Sequence, residues 1–232
     1  MNKIYNIYKI LYETYGAQGW WPITGYGYHK LNYDFPRKSD EIFEVCLGSI
    51  LTQNTTFASV VKSLENLYAK NAINANAIES MNIEELKEAI KASGYFNQKT
   101  RYILEFIKFY KNLGGTTPTR EALLNIVGIG EETADSMLLY GYNRQEFKVD
   151  AYTKRLLLAL GFVDEKAKYG DIKSLMQNSL KECIKDEKEL IRTYQEFHAL
   201  IVAHGKVFYS KKPYGVGCFL KKEILDISNK NG

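Results

Sequence analysis

A carboxylate at the start of a helix is the residue whose type and position best suit chemistry in this sequence. Asp150 directly precedes the amphipathic stretch AYTKRLL, where Asp is also a preferred N-cap residue. Backbone N–H groups and the helix dipole favour the ionised carboxylate at such a position. An ionised carboxylate is what cleavage of a glycosidic bond through a cationic sugar requires. Capping and chemistry are compatible here, and the residue alone does not decide between them.

A glycine-containing turn upstream of Asp150 has the form of an anion site. The segment LLNIVGIGEETADSMLLYG (123–141) predicts two helices joined by a sharp reversal, and Gly128 and Gly130 can take positive φ or admit close approach. A helix beginning at Gly130 or Glu131 leaves backbone N–H groups that suit a DNA phosphate. The alternative is a plain helix connection with nothing bound. Glu131 and Glu132 favour that alternative, because their charges would repel a phosphate.

The elements that position these residues are predicted to be helices. Hydrophobic spacing is helical almost throughout, and no segment shows the alternation of a β-strand. The predicted helices cover residues 3–15, 41–53, 55–70, 83–92, 97–113, 120–126, 131–141, 151–160, 170–184 and 187–204, with Asn76 and Asn82 as candidate N-caps. Residues 16–40 break the pattern with glycines, prolines and aromatic residues, which indicates a loop region. The predicted fold class is all-α.

Composition limits the class of protein. A chain of 232 residues with 45% hydrophobic residues has ample material for a core. No apolar run approaches the roughly 20 residues needed to span a bilayer, and the N-terminal stretch lacks a signal-peptide cleavage site. We therefore expect a cytoplasmic, prokaryotic protein with no membrane partner. The net charge of +4 permits nucleic-acid binding without demonstrating it.

The potential metal ligands are few and scattered: Cys46, Cys183, Cys218, His29, His198 and His204. The cysteines are far apart, so we expect reduced structural thiols. The histidines show no ligand spacing with one another or with the cysteines, which predicts structural histidines. We expect neither a metal site nor a cofactor.

The combined motifs resemble the endonuclease III superfamily of DNA glycosylases. That family joins a helix-hairpin-helix, through a Gly/Pro-rich loop, to an Asp at the start of the next helix. The matching segments are VGIGEETAD (127–135) and VDAY (149–152), within a likeness over roughly residues 40–205. The resemblance implies base excision by a hydrolase that acts on a flipped-out nucleotide. It makes Asp150 the essential carboxylate and assigns Gly128 and Gly130 to a DNA phosphate.

The resemblance also implies a two-domain helix-hairpin-helix fold with the DNA and lesion cleft between the domains. One domain is expected to be a six-helix domain at 36–143, with the hairpin at about 120–141. The other is expected to combine residues 1–35 with 144–232.

Two loops are similar to those with which the family enters DNA. In GSILTQNTTF (48–57), Gln53 is the candidate to fill the gap left by an extruded base. In GYFNQK (94–99), Tyr95 is the candidate to enter DNA near the lesion. The alternative for Gln53 is an ordinary surface helix terminus.

Two departures from the family pattern narrow the expected reaction. Bifunctional members carry a lysine at the position of Glu132, and a carboxylate cannot form a Schiff base. The resemblance therefore implies a monofunctional enzyme without AP-lyase activity. The four cysteine positions of an iron–sulfur cluster hold Phe208, Gly215, Cys218 and Ile224. One thiolate of four cannot hold a cluster, and we expect Phe208, Phe219 and Leu220 to pack in its place.

A third set of residues is similar to the 3-methyladenine DNA glycosylase III branch, which lacks the cluster. The resemblance assigns these residues to the lesion pocket: Trp20, Trp21, Pro22, Phe57 and Glu132. Core packing is the alternative for the aromatic residues. Lys206 in AHGK also matches that branch, without an assignable chemistry. Residues 23–40 form a longer insertion than is typical of these relatives, which leaves the pocket shape open.

The expected function is hydrolysis of the N-glycosidic bond of an alkylated purine in double-stranded DNA, leaving an abasic site. An alkylated purine is cationic, so stacking between aromatic faces such as Trp20 and Phe57 adds roughly 0.5–2 kcal/mol of cation–π energy. We expect a monomer. Two alternatives stay open: a glycosylase for a neutral lesion such as mismatched thymine, uracil or hypoxanthine, and a non-catalytic helix-hairpin-helix DNA-binding protein.

Overall fold

The computed structural model describes residues 2–224, and these are predominantly helical. The helices include α1 (Lys3–Tyr15), α2 (Ser39–Leu51), α3 (Phe57–Ala69), α4 (Ala75–Ser80), α5 (Ile83–Ile90), α6 (Phe96–Asn112), α7 (Arg120–Leu124), α8 (Glu131–Ser136), α9 (Ala151–Ala159), α10 (Tyr169–Cys183) and α11 (Glu187–Phe208). A 3₁₀ turn at Lys91–Ser93 follows α5, and a π-helical turn at Met137–Gly141 continues α8. Over residues 2–224 there is no β-strand, only an isolated bridge between Ile23 and Gly27. The all-α prediction is confirmed.

The chain divides into two compact units. One contains the described residues up to Trp20 and those from Gln145 onward, and the other is Trp21–Arg144. The second unit carries α2–α8, seven helices where six were predicted. The additional helix is α4, whose N-cap is Asn74 rather than the predicted Asn76, because the Asn74 side chain accepts from the Ala77 N–H at 2.8 Å.

Residues 21–35 lie in the second unit, whereas the sequence prediction placed them in the other domain. The Trp21 ring is 2% exposed and packs edge-on against Phe57 and Tyr140. A Cβ added at Gly48 would lie 2.9 Å from the Trp21 ring, so α2 has no room for a larger residue there. His29 then anchors the loop, since its two ring nitrogens lie 2.8 Å from the carbonyl oxygens of Trp21 and Asn32.

Helix α2 forms the centre of the Trp21–Arg144 unit. It is buried on nearly all sides, as expected for a helix that is apolar around its circumference. Leu47, Ile50 and Leu51 share one hydrophobic core with residues of α3, α5, α6 and α8. Because α2 ends at Leu51, this core fixes the point from which the loop carrying Gln53 begins.

In the other unit α11 packs against α1 and α9. A Cβ added at Gly205 of α11 would lie 2.5 Å from the Tyr152 ring of α9, so the glycine permits close approach of the two helices. None of the described helices is both long enough and apolar enough to cross a lipid bilayer.

Candidate active site

Asp150 is the N-cap of α9, as predicted from the sequence. Its Oδ1 accepts hydrogen bonds from the Thr153 N–H at 2.8 Å and from the Thr153 hydroxyl at 2.9 Å. Both bonds come from the first turn of the helix, where backbone N–H groups have no intrahelical partner. The cap therefore fixes the carboxylate through Oδ1 and leaves Oδ2 available for other contacts.

The second oxygen of Asp150 lies beside a histidine. His198 Nε2 is 3.5 Å from Asp150 Oδ2, and the His198 side chain is 1% exposed while that of Asp150 is 13% exposed. Burial raises the pKa of the Asp150 carboxyl. The interaction with His198, the charge of Lys148 and the Thr153 N–H outweigh burial and hold that pKa well below its usual range. The carboxylate is therefore ionised at neutral pH.

His198 reaches Asp150 because α11 and α9 are in close contact. His198 and Gly205 are two helical turns apart, so they share the face of α11 that meets α9. The sequence predicted only a structural histidine at this position, and the contact with Asp150 was not predicted. The available signal was its seven-residue spacing from a glycine on the same helix.

Trp20 packs against the same histidine. The Trp20 and His198 ring centroids are 6.2 Å apart in an edge-on arrangement. The loop that carries Trp20 is held by Glu196, whose carboxylate accepts from the N–H groups of Gln18 and Gly19. Trp20, His198 and Asp150 therefore form one constellation within a single unit.

The other predicted pocket residues lie in the Trp21–Arg144 unit. Phe57 is the first residue of α3, and Trp21 meets its ring edge-on at 5.4 Å between centroids. Pro22 and Phe57 line a cavity of about 300 Å³ together with Tyr28. Glu132 is exposed at the second position of α8. Trp21 is thus a core residue beside the cavity, as the packing alternative predicted.

The predicted hairpin consists of α7, a turn and α8. Gly128 has φ +89°, and an added Cβ would lie 2.2 Å from the Tyr102 ring, so both backbone conformation and space require glycine. Gly130 is extended at φ −93° and has nothing within 4 Å of an added Cβ. Positive φ or close approach was predicted for both glycines, and the structure shows them at Gly128 alone. The space at Gly130 is open beside the start of α8.

An arginine joins the two helices of this hairpin. Arg120 of α7 makes a two-bond contact with the fully buried Asp135 of α8, through Nε at 2.8 Å and a terminal nitrogen at 3.2 Å. The same guanidinium bonds to Glu131 at 3.3 Å. Glu131, which was expected to repel a phosphate, is therefore partly neutralised by Arg120.

The two predicted DNA-entering residues differ in exposure. The Gln53 amide donates to the Gly128 carbonyl oxygen at 2.9 Å and to the Thr133 hydroxyl at 3.1 Å. Gln53 is therefore attached to the hairpin turn. Tyr95 is 64% exposed and adopts the left-handed conformation, with φ 47°. An exposed aromatic residue in a strained backbone conformation is a feature found at functional loops.

The C-terminal loop packs around His204 of α11. The rings of Phe208 and Phe219 lie 4.7 Å and 5.3 Å from the His204 ring, and Leu220 is fully buried. The Cys218 sulfur lies 3.2 Å from His204 Nε2. Burial lowers the pKa of His204 to about 4, so this ring is neutral at pH 7. Among residues 2–224 no group of three or more His, Cys, Asp or Glu side chains has the arrangement of a metal site.

Comparison with known proteins gives consistent matches. Residues 47–182 match the family model described as HhH-GPD superfamily base excision DNA repair protein. A protein of Methanocaldococcus jannaschii described as a DNA repair glycosylase is 38% identical over 233 residues, covering 96% of both chains. Endonuclease III of Sulfolobus acidocaldarius is 29% identical, covering 79% of this chain and 82% of that one.

A solved structure is also similar in sequence. The Helicobacter pylori 3-methyladenine DNA glycosylase, bound to 1,N6-ethenoadenine, is 27% identical with a TM-score of 0.70. The superposition covers 89% of this chain and 98% of that one.

Proposed function

The chain belongs to the HhH-GPD superfamily of base excision DNA repair proteins and is a DNA glycosylase, and from that premise we propose that it removes alkylated purines of the 3-methyladenine type. The proposed enzyme is a monofunctional monomer that acts on double-stranded DNA. The observation that carries the proposal is the largely buried, ionised Asp150 at the N-terminus of α9, held by Thr153 on one oxygen and beside His198 on the other.

Asp150 would act on the sugar of an extruded nucleotide. As the bond between C1′ and the base nitrogen breaks, its electron pair leaves with the base and positive charge develops on the sugar. A fixed carboxylate stabilises that charge without reorganising, and water then adds at C1′ to leave an abasic site. An alkylated purine already carries the positive charge, so it departs as a neutral base without a general acid.

Glu132 supports the monofunctional assignment. It occupies the position at which the resemblance places the lysine of bifunctional relatives, and it lies exposed in the first turn of α8. A carboxylate cannot attack C1′ to form a Schiff base, so strand cleavage by that route is closed. Hydrolysis by water is the reaction left to this chain.

Aromatic residues support a cationic purine as substrate. Phe57, at the cavity that it lines with Pro22, offers a π surface to a positively charged ring. The similar Helicobacter glycosylase binds 1,N6-ethenoadenine, an uncharged modified purine, which supports a purine as the base and leaves the charge to the aromatic residues. Tyr95 and Gln53 would occupy the space of the extruded nucleotide, while the start of α8 beside Gly130 would bind a DNA phosphate.

A neutral lesion is the second candidate substrate, because Tyr28 lines the same cavity as Phe57. A tyrosine hydroxyl could hydrogen-bond to the edge of an uncharged base such as uracil, hypoxanthine or mismatched thymine. A neutral base is a poorer leaving group than a cationic purine, so its release requires more catalysis by the protein. The two candidates therefore predict release of different bases from damaged duplexes.

The test is base release from defined duplexes. The protein is incubated with duplexes carrying 3-methyladenine, 7-methylguanine, 1,N6-ethenoadenine, uracil or a G·T mismatch, and each product is analysed with and without alkali. We expect release from the alkylated purines, with strand breaks only after alkali. Release of uracil or thymine alone would support the second candidate. Breaks without alkali would overturn the monofunctional assignment, and binding without release would leave a DNA-binding module.

A further inference from the structure

Lys99 is a buried lysine in the first turn of α6. It is 2% exposed, and its ammonium donates to the carbonyl oxygens of Leu51 at 2.8 Å and Ser93 at 2.6 Å. Burial lowers its pKa to about 8, so at neutral pH the ammonium is still mostly charged. A buried cation is costly to maintain, which raises the question of what this one does.

Both carbonyls belong to residues that immediately precede the loops assigned to DNA entry. Leu51 is the last residue of α2, two residues before Gln53. Ser93 is the last residue of the 3₁₀ turn, two residues before Tyr95. The C-terminal ends of helical segments carry partial negative charge, so a cation placed between two such ends is favoured by both.

The contacts continue from Lys99 to the hairpin. Gln53 donates to the Gly128 carbonyl oxygen and to the Thr133 hydroxyl. The Lys99 ammonium thus joins the loop of Tyr95 to the loop of Gln53, and the Gln53 amide joins its loop to the turn of the hairpin. All of these residues lie within the Trp21–Arg144 unit.

We infer that Lys99 is a positioning residue that sets the separation of the Gln53 and Tyr95 loops, so that both enter DNA together during base extrusion. The inference rests on the proposed function, because it assumes that these two loops displace the target base. Extrusion of a base costs a few kcal/mol. Side chains that fill the gap offset this cost best when they are already held in the required positions. An apolar side chain could fill the volume but would leave two buried carbonyl oxygens without a donor.

The test measures extrusion without bond cleavage. The probe is a duplex in which 2-aminopurine lies next to a 2′-fluoro-7-methylguanine nucleotide, whose fluorine suppresses glycosidic cleavage. The fluorescence of 2-aminopurine rises when its stacked neighbour leaves the helix. Lys99→Met removes the ammonium, and Lys108→Met removes an exposed charge from the same helix as a matched control. Affinity for undamaged duplex and the melting temperature are measured for each variant.

We expect Lys99→Met to lower the extrusion equilibrium about tenfold or more, because the hydrogen bonds from the ammonium to both carbonyl oxygens are lost, while affinity for undamaged duplex stays within about twofold. Lys108→Met should leave both quantities unchanged. Because Lys99 is proposed to act through both loops, adding Lys99→Met to a Gln53→Ala/Tyr95→Asn variant should reduce extrusion little further. If Lys99→Met does not fold, Lys99→Gln, which keeps an N–H donor, takes its place in the same comparison with an intermediate loss expected.

Normal extrusion by the folded Lys99 variant would overturn the inference. So would a loss that adds in full to that of Gln53→Ala/Tyr95→Asn, or a parallel loss of affinity for undamaged duplex. The readout also separates this inference from the proposed function. Extrusion that depends on Lys99 without base release by the wild type would contradict the glycosylase step alone. Base release with extrusion independent of Lys99 would contradict this inference alone.

Discussion

Asp150 and His198 are in contact across two helices, with 3.5 Å between Oδ2 of the carboxylate and Nε2 of the imidazole. The carboxylate is thereby fixed on both oxygens, since Oδ1 accepts two hydrogen bonds from Thr153. An N-cap alone would have held one oxygen. The second contact makes the orientation of Asp150 a property of the packing of α9 on α11.

The first prediction concerns His198. His198→Ala should lower the single-turnover rate of base release about tenfold, because Asp150 Oδ2 loses the imidazole that lies beside it and orients it. DNA affinity should be unchanged, since the imidazole is buried. His198→Gln keeps an N–H donor and should recover most of the rate. Equal losses in the two variants would show that His198 acts through packing alone.

The second prediction concerns stability and pH. The pKa of Asp150 in the folded protein is below its ordinary value of 3.8. A depressed carboxyl pKa contributes stability that is present above the unfolded-state value and is lost as pH falls below it. The free energy of unfolding of the wild type, relative to Asp150→Asn, should therefore decline as pH falls from about 5 to about 2. Urea denaturation of both proteins at several pH values measures this difference, and a constant difference would contradict the depressed pKa.

The third prediction concerns Tyr95. Asparagine tolerates the left-handed conformation better than other non-glycine residues, so Tyr95→Asn should keep the fold and the melting temperature. Release of an alkylated purine from duplex DNA should fall about tenfold, since one base stacked on an aromatic ring is worth roughly 1–3 kcal/mol. Release from a single strand carrying the same lesion should be spared. Tyr68→Asn, at another exposed tyrosine of the same unit, serves as the control.

The fourth prediction separates the two hairpin glycines. Gly128→Ala should destabilise the protein by about 2 kcal/mol or more, because the added methyl group meets the Tyr102 ring and the backbone has positive φ. Gly130→Ala should change stability by less than about 0.5 kcal/mol and weaken DNA binding, since the methyl group would enter the space proposed for a phosphate. Denaturation and DNA titration of both variants measure the two effects. Equal destabilisation would contradict the structural distinction between the two glycines.

Local sequence signals predicted the parts of this protein that depend on local physics. Helical periodicity indicated the all-α fold, and the Asp150 cap and the Gly128 turn follow from backbone hydrogen bonding and sterics over a few residues. His198, Lys99 and Trp21 act through residues far away in sequence. The contact of His198 with Asp150 requires α9 and α11 to pack, and Lys99 reaches a carbonyl 48 positions away. Helical periodicity shows which residues share a face but not which distant residues that face meets, so the sequence alone did not predict these contacts.

The assignment of Asp150 is tested most directly by Asp150→Asn under single-turnover conditions, on a duplex containing 3-methyladenine. Asparagine keeps an oxygen to cap α9 and removes the charge, so the fold and the DNA affinity should persist. Base release should fall about a hundredfold or more, since the charge that stabilises the cationic sugar is lost. Release at the wild-type rate by a folded, DNA-binding Asp150→Asn protein would contradict the account.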